Sequence, residues 1–313
     1  MALTDKLKAI ADAIRAKTGK SDKLTLSGMA EEISALTGGG TNLEDNFVKR
    51  NITEYKNDRV GYVGGYAFAG CSSLTVADFP SATRVYSNAF YSCAQLTSIN
   101  LPKVTDIYNR AFCVCAALTS VDFPSVTGFI GDEAFYSCSK LVSVNIPQAT
   151  EIYDQVFRYC YALTAADFPL VTRIGVHAFE SCSKLASINF PSVTSIGQYA
   201  FYGCASLTSV TFAKQTSIGQ YAFYGCTALA AADFAYISEI NTNVFFKCSA
   251  LKTLIIRNTT YIPKSVDKNF LSSTLIAAGS GYIYVTDDLV SEYKTEWSTY
   301  ANQIKPLSEY TGS

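Results

Sequence analysis

Residues 178–199 read AFESCSKLASINFPSVTSIGQY, and residues 200–221 read AFYGCASLTSVTFAKQTSIGQY. Both stretches place Phe three residues before a Cys, Leu three after it, a branched residue six after and a large apolar residue eight after. The same skeleton continues outward in both directions. Cys71, Cys93, Cys115, Cys138, Cys160, Cys182, Cys204, Cys226 and Cys248 recur every 22 residues, with one step of 23. A fixed period of this length marks a stacked repeat, in which one unit cannot bury its apolar residues alone and neighbouring units share a core. A register of identical cysteines reads as buried small hydrophobes rather than as a disulfide framework.

Within one unit, LTSVDF sets Val and Phe two apart, so both point inward while the residue between them points out. Proline follows in the first six units, from Pro80 to Pro191, and ends the strand because it has no N–H for the ladder. A second apolar pair, Val104 with Ile107 or Val193 with Ile196, carries the chain back across the core. Gly175, Gly197 and Gly219 follow such pairs, where a positive φ is expected.

This wording, AFxxCxxLTSVxFP on a 22-residue period, resembles BspA-type leucine-rich repeats over about residues 60 to 265. The resemblance implies an α+β fold that is mostly β. The expected architecture is a leucine-rich-repeat solenoid of about nine coils, with a short N-terminal helical hairpin and a C-terminal helical cap. The division expected is 1–37 a helical leader, 38–59 a linker and N-terminal cap, 60–270 the solenoid, and 271–313 the C-terminal cap.

At the front, Leu7, Ile10, Ala11 and Ile14 fall at helical spacing behind Thr4. A second short helix is read from Ser27, ahead of Gly38-Gly39-Gly40. At the back, GYIYV (281–285) reads as a strand. DDLVSEYKTEWSTYANQI follows as an amphipathic helix with Leu289, Tyr293, Trp297 and Tyr300 on one stripe and Asp287 or Asp288 capping its start. That stripe reads as a seal over the open core, the other reading being an aromatic binding patch. The leader LTDKLKAIADAIRAKTGKSDKLTLSGMAEEISAL resembles the N-terminal segment of phage and prophage tail-associated proteins of Gram-positive gut bacteria. The C-terminal wording is similar to a module of leucine-rich-repeat proteins from the same sources.

Composition narrows the function. Formal net charge is −1 and only 16% of residues are charged, which offers no pull toward nucleic acid or an anionic membrane. No run reaches the ~20 apolar residues of a membrane span, and the N-terminus lacks a secretory apolar stretch, so synthesis in the cytoplasm as a soluble chain is expected. His177 is the sole histidine, which excludes a histidine-based triad built around a second one. Its repeat equivalents Asn88, Arg110, Glu133, Tyr199 and Tyr221 make it a surface residue. Cys113 and Cys115 lack a second pair or a histidine to complete a zinc site. Cys113 stands where other units carry Tyr91, Tyr136, Tyr202 and Tyr224, and is expected to be an exposed thiol.

Two outward columns remain. Asp78, Asn100, Asp122, Asn145, Asp167, Asn189, Thr211 and Asp233 alternate. A side-chain hydrogen-bond ladder is preferred there to a calcium site. Tyr86, Tyr91, Tyr108, Tyr136, Tyr153, Tyr199, Tyr202, Tyr221 and Tyr224 lie on the return side. They are candidates for binding, because tyrosine offers contact area at low entropy cost. Residues 195–204 and 217–226 are identical, so duplication alone could also have spread them.

The expectation is a non-enzymatic recognition or adhesion protein with no cofactor and no metal. It would be carried on a phage or prophage tail and made in the host cytoplasm. The solenoid would bind a bacterial surface protein or glycan, and residues 1–37 a tail or baseplate protein. Alternatives are an extracellular BspA-type cell-surface adhesin, or a structural scaffold and spacer.

Overall fold

Strands stack in parallel, each paired with the strand about 22 residues further along. Glu54–Lys56 pairs with Val76–Asp78, and that strand with Ser98–Asn100. The computed structural model describes residues 52–311 apart from 128 and 266–269. The expected helical leader, residues 1–37, lies outside these. The architecture is a mostly-β leucine-rich-repeat solenoid of about eleven turns with few helices. It exceeds the nine turns counted on cysteines because coils without cysteine continue the stack. Tyr55 packs on Phe68 and Phe79 at the front. At the back, Tyr282–Val285 pairs with Thr253–Ile256 and then with Ile304–Pro306.

One spine runs through the stack. Phe68, Phe90, Phe112, Phe135, Phe157, Phe179, Phe201, Phe223 and Phe245 are buried, and neighbouring rings stack face to face at 5.2–5.7 Å. The alanine preceding most of them is fully buried, which leaves no room for a larger side chain. Each cysteine of the 22-residue series from Cys93 onward donates its thiol to the carbonyl of the phenylalanine in the preceding coil, as Cys93 Sγ does to Phe68 O at 3.0 Å and Cys248 Sγ to Phe223 O at 3.0 Å. Burial raises the thiol pKa values of Cys93, Cys115, Cys138, Cys160, Cys182, Cys204 and Cys226 above the ordinary range. The column is therefore a set of neutral, weakly hydrogen-bonding core residues and not a redox framework.

The return arc also forms strands. Two-residue pieces such as Arg84–Val85, Asp106–Ile107 and Ser195–Ile196 pair from coil to coil into the larger sheet. Where proline is present, it separates the front strand from the return strand. Where Ala213 and Ala235 take the proline position, the two merge into continuous ten-residue strands, Ser209–Ile218 and Ala231–Ile240. The merged strands join the return ladder to the strands that follow them in one 13-stranded sheet, while the front strands of the earlier coils form separate sheets of three, two and two. Proline's missing donor thus sets the division coil by coil.

The glycine expectation is corrected. Gly175, Gly197 and Gly219 are not at positive φ; they are small because coils close up there. A Cβ on Gly197 would lie 2.5 Å from the carbonyl carbon of Gly175, and one on Gly175 would lie 2.4 Å from that of Tyr153. Left-handed residues fall elsewhere. One is five before the cysteine, at Asn88, Arg110, Glu133, Gln155, His177, Tyr199, Tyr221 and Asn243; the other is one before it, as at Ser92, Val114 and Gly203.

The C-terminal helix also differs from expectation. Only Val290–Glu296 is α-helical, between 3-10 turns at Asp287–Leu289 and Ser298–Gln303. Asp287 makes no N-cap bond, because its carboxylate accepts the Ser308 N–H at 3.0 Å from across the segment. Tyr293, Trp297 and Tyr300 are buried, and Trp297 and Tyr300 pack edge-on to Phe270.

The Asp/Asn column forms hydrogen bonds two coils at a time. Asn100 Nδ2 donates to Asp78 at 2.8 Å, Asn145 to Asp122 at 2.7 Å and Asn189 to Asp167 at 2.8 Å. The front strands pair across the same coils, 76–78 with 98–100, 120–122 with 143–145 and 165–167 with 187–189, the first pair also carrying 54–56. Alternation therefore places an amide donor beside each carboxylate in a bonded pair. Replacing Asn145 by Asp would set two carboxylates side by side. A cost of about 0.5–1 kcal/mol at neutral pH is expected, fading in acid as one of the pair takes up a proton. Urea unfolding at pH 7 and pH 3.5 measures it, and an equal loss at both pH values would contradict the ladder.

Candidate recognition surface

The left-handed residue five before each cysteine aims its side chain outward, and the residue two before the cysteine stands beside it. In the coils of Cys204 and Cys226 both positions hold aromatic rings, and the flanking coils add one each, His177 before Cys182 and Phe246 before Cys248. His177, Tyr199 and Tyr221 stack in one column, with centroids 4.7 and 4.9 Å apart and planes within 2°. Tyr202, Tyr224 and Phe246 stack in the other, at 4.7 and 5.5 Å. Between columns the rings tilt, Tyr199 against Tyr202 at 59° and Tyr221 against Tyr224 at 54°. The result is two columns of three rings offset by one coil, side by side only at Tyr199–Tyr202 and Tyr221–Tyr224, and half-buried along their length.

Polar groups close both ends. Glu180, 8% exposed, bonds His177 Nδ1 and forms an ion pair with Arg158 at 3.0 Å. Arg158 also donates to Gln155 at 2.8 Å and lies 4.8 Å over the Tyr159 ring. At the far end Lys247 Nζ sits 5.3 Å over Tyr224, whose hydroxyl raises the ammonium pKa. Burial, reinforced by Tyr224, raises the Tyr202 phenol. Beside the first column, Gln198 Nε2 reaches Gln220 Oε1 at 3.4 Å.

The nine tyrosines singled out from sequence occupy three columns rather than one stripe. Only Tyr199, Tyr202, Tyr221 and Tyr224 converge. Tyr86 and Tyr108 stack with each other at 5.1 Å, joined by Tyr62, in a column that turns to glycine at 131, 175, 197 and 219. Tyr153 lies under Arg173, Tyr136 pairs with Tyr159, and Tyr91 is exposed in a coil remote from the array. Sequence reasoning set His177 at the register of Tyr199 and Tyr221 but counted it only as a surface residue, and it passed over Phe246, although counting back from Cys248 puts that ring in the second column. The exposed thiol expected at Cys113 is corrected: it is 3% exposed. Its side chain is shorter than those of Tyr91 and Tyr136 in the same column. It lies beside the Arg110–Glu133 pair, and burial first, then Glu133, pushes its pKa up to about 11. Among the described residues no group of three His, Cys, Asp or Glu could hold a metal ion, and no helix is long and apolar enough to cross a membrane.

The family model for the BspA type leucine rich repeat region matches residues 43–164 and 150–274, in six copies. The chain belongs to this family. No curated protein matches it in sequence. Among solved structures, this BspA-type chain is similar to a leucine-rich repeat protein from Bacteroides ovatus. The identity is 27% and the TM-score 0.59, over 75% of this chain and 63% of that one; the chain thus spans less than two thirds of that protein. It is also similar to a leucine rich cell surface protein from Faecalibacterium prausnitzii (26% identity, 84% and 80% covered, TM-score 0.44). A third is a leucine rich repeat protein from T. pallidum (26% identity, 61% and 86% covered, TM-score 0.42). The BspA-type repeats supply the spine and the ladder spacing. The ring array stands on positions the repeat leaves open.

Proposed function

We propose that this BspA-type chain is a non-enzymatic recognition or adhesion protein that binds a bacterial surface protein or glycan through its solenoid. One observation supports this above the others: six ordered rings, with polar groups at both ends, stand on two outward columns of four adjacent coils. Half of them occupy left-handed positions, His177, Tyr199 and Tyr221. A side chain other than glycine there costs about 1–2 kcal/mol. Solenoids present surfaces, and leucine-rich-repeat solenoids are typically non-enzymatic.

The finer reading is a phage or prophage tail protein, attached to a tail or baseplate protein through residues 1–37. It rests on the wording of that segment, and localisation to the virion goes with it. Fluorescently labelled full-length chain, added to a panel of Gram-positive gut bacteria, tests the recognition reading. Saturable binding to at least one strain is expected, together with its loss in the Tyr199→Ala/Tyr221→Ala variant. Uniform absence of binding, or binding indifferent to the variant, would count against it.

A further inference from the structure

The coils are joined evenly on two sides and unevenly on the third. At the turn, the N–H of each spine phenylalanine from Phe68 to Phe223 donates to the carbonyl of the residue before the next one, at 2.7–3.0 Å. On the return side the bonds also run without a break, from Tyr86 N–H on Val63 O to Gly219 N–H on Ile196 O, at 2.8–3.3 Å. The front side alternates instead. Phe79, Phe123 and Phe168 N–H close their strands onto Asn100, Asn145 and Asn189 O at 2.9–3.0 Å. Among the described residues, Leu101, Ile146 and Phe190, at the same register of the intervening coils, make no such bond to Asp122, Asp167 and Thr211. Ahead of the strands, Thr97, Val142 and Ala186 N–H reach the preceding coil at 2.8–2.9 Å. Thr164 and Thr208 do so only at 3.3 and 3.4 Å, and Thr119 makes no bond to Thr97 O.

Three seams therefore cross the front face, after Asn100, Asn145 and Asn189. They fall where the front strands divide into separate sheets. The central strand residue changes with them: Ala77, Val121 and Ala166 are buried, while Ile99, Val144 and Ile188, beside the seams, are only half-buried. The Asn-to-Asp side-chain bonds lie within the blocks, from Asn100, Asn145 and Asn189 to the coil before each. Near the first seam, Ser125 Oγ still reaches Pro102 O at 3.1 Å, beyond the strands. A block that tilts about the return ladder and the turn breaks no backbone bond between the front strands at the first seam, and one long bond at each of the others. Elements with the fewest backbone bonds open at the lowest free energy in a native protein. The two ring columns flank the phenylalanine turn, on a side without seams, so the same tilt leaves their stacking in place.

We propose that the solenoid is jointed: its coils move as blocks that hinge on the return ladder and open or close the front face at these three seams. The joint goes beyond the recognition reading and does not depend on it. Spin labels on the full chain test it by double electron–electron resonance. Five coil steps of ~4.8 Å each separate Ser98 from Ser209 on the front strands, across all three seams, and Asp106 from Ser217 on the return strands. The native thiols are buried, so Ser98→Cys/Ser209→Cys and Asp106→Cys/Ser217→Cys direct the labels to the added sites. The front pair should give a distance distribution about twofold broader, or more, than the return pair. Equal widths, or a return pair as broad as the front, overturn the proposal. Amide hydrogen exchange on the unsubstituted chain gives a second reading. The N–H groups of Leu101, Ile146 and Phe190 should exchange about tenfold faster, or more, than those of Phe79, Phe123 and Phe168. Equal protection of the two sets overturns the proposal whatever the labelled variants show.

Discussion

Replacing Phe179 by alanine is expected to cost about 3–5 kcal/mol of stability. The ring lies between Phe157 at 5.2 Å and Phe201 at 5.3 Å, with Phe190 edge-on at 5.8 Å, and is fully buried. Removing it deletes both stacking contacts and leaves a gap that the coils on either side, fixed by their own backbone ladders, cannot close. Nearest-neighbour coupling carries a solenoid's cooperativity, so a central gap should also split unfolding into two steps. Urea unfolding measures both effects. A single transition shifted by less than about 1 kcal/mol would mean that the column of rings does not couple the coils.

Gly197→Ala and Gly203→Ala should separate sharply although both add one methyl group. At Gly197 the new Cβ meets main-chain atoms of Gly175 and Val176 at 2.5–2.7 Å, and backbone cannot step aside without pulling the return strands apart. A loss at or above the upper part of the ~1–3 kcal/mol range for overpacking is expected. At Gly203 the nearest atom is 3.8 Å away, and only the φ of +70° is unfavourable, so about 1 kcal/mol is expected. Thermal unfolding of the pair decides the matter. Equal effects, or a larger one at Gly203, would restore the positive-φ reading of the glycine column.

That misreading shows where sequence stops. The Phe–Cys–Leu register was legible because nine copies repeat one inward pattern, and the spine follows from it. The Asp/Asn alternation was legible for the same reason, since adjacent coils must place like charges side by side or avoid doing so. The return strands were not, because a two-residue piece such as Arg84–Val85 carries no periodicity of its own; pairing with its neighbours makes it a strand. Nor could local preference reveal that Gly175 faces the backbone of Tyr153, a contact 22 residues away in sequence. The proline rule held a further consequence, the merged strands at Ala213 and Ala235, that only the structure brought out. In the candidate site, tyrosine enrichment was visible, and so were the registers of Tyr199 with Tyr221 and of Tyr202 with Tyr224; that these two columns meet edge to face was not. Offsets from the cysteine decide which rings meet, and they admit His177 and Phe246 while setting Tyr86, Tyr108 and Tyr153 apart.

Both the recognition array and the jointed front face stand on the coil register, and the cysteines report on it directly. The native chain should be treated with a bulky thiol reagent, then again after denaturation in guanidinium. All ten cysteines are buried as free thiols, so no reaction in the native state and full labelling on unfolding are expected. Rapid native labelling at several positions of the Cys71–Cys248 series would place those side chains outside the core, and the stacked-coil architecture could not stand.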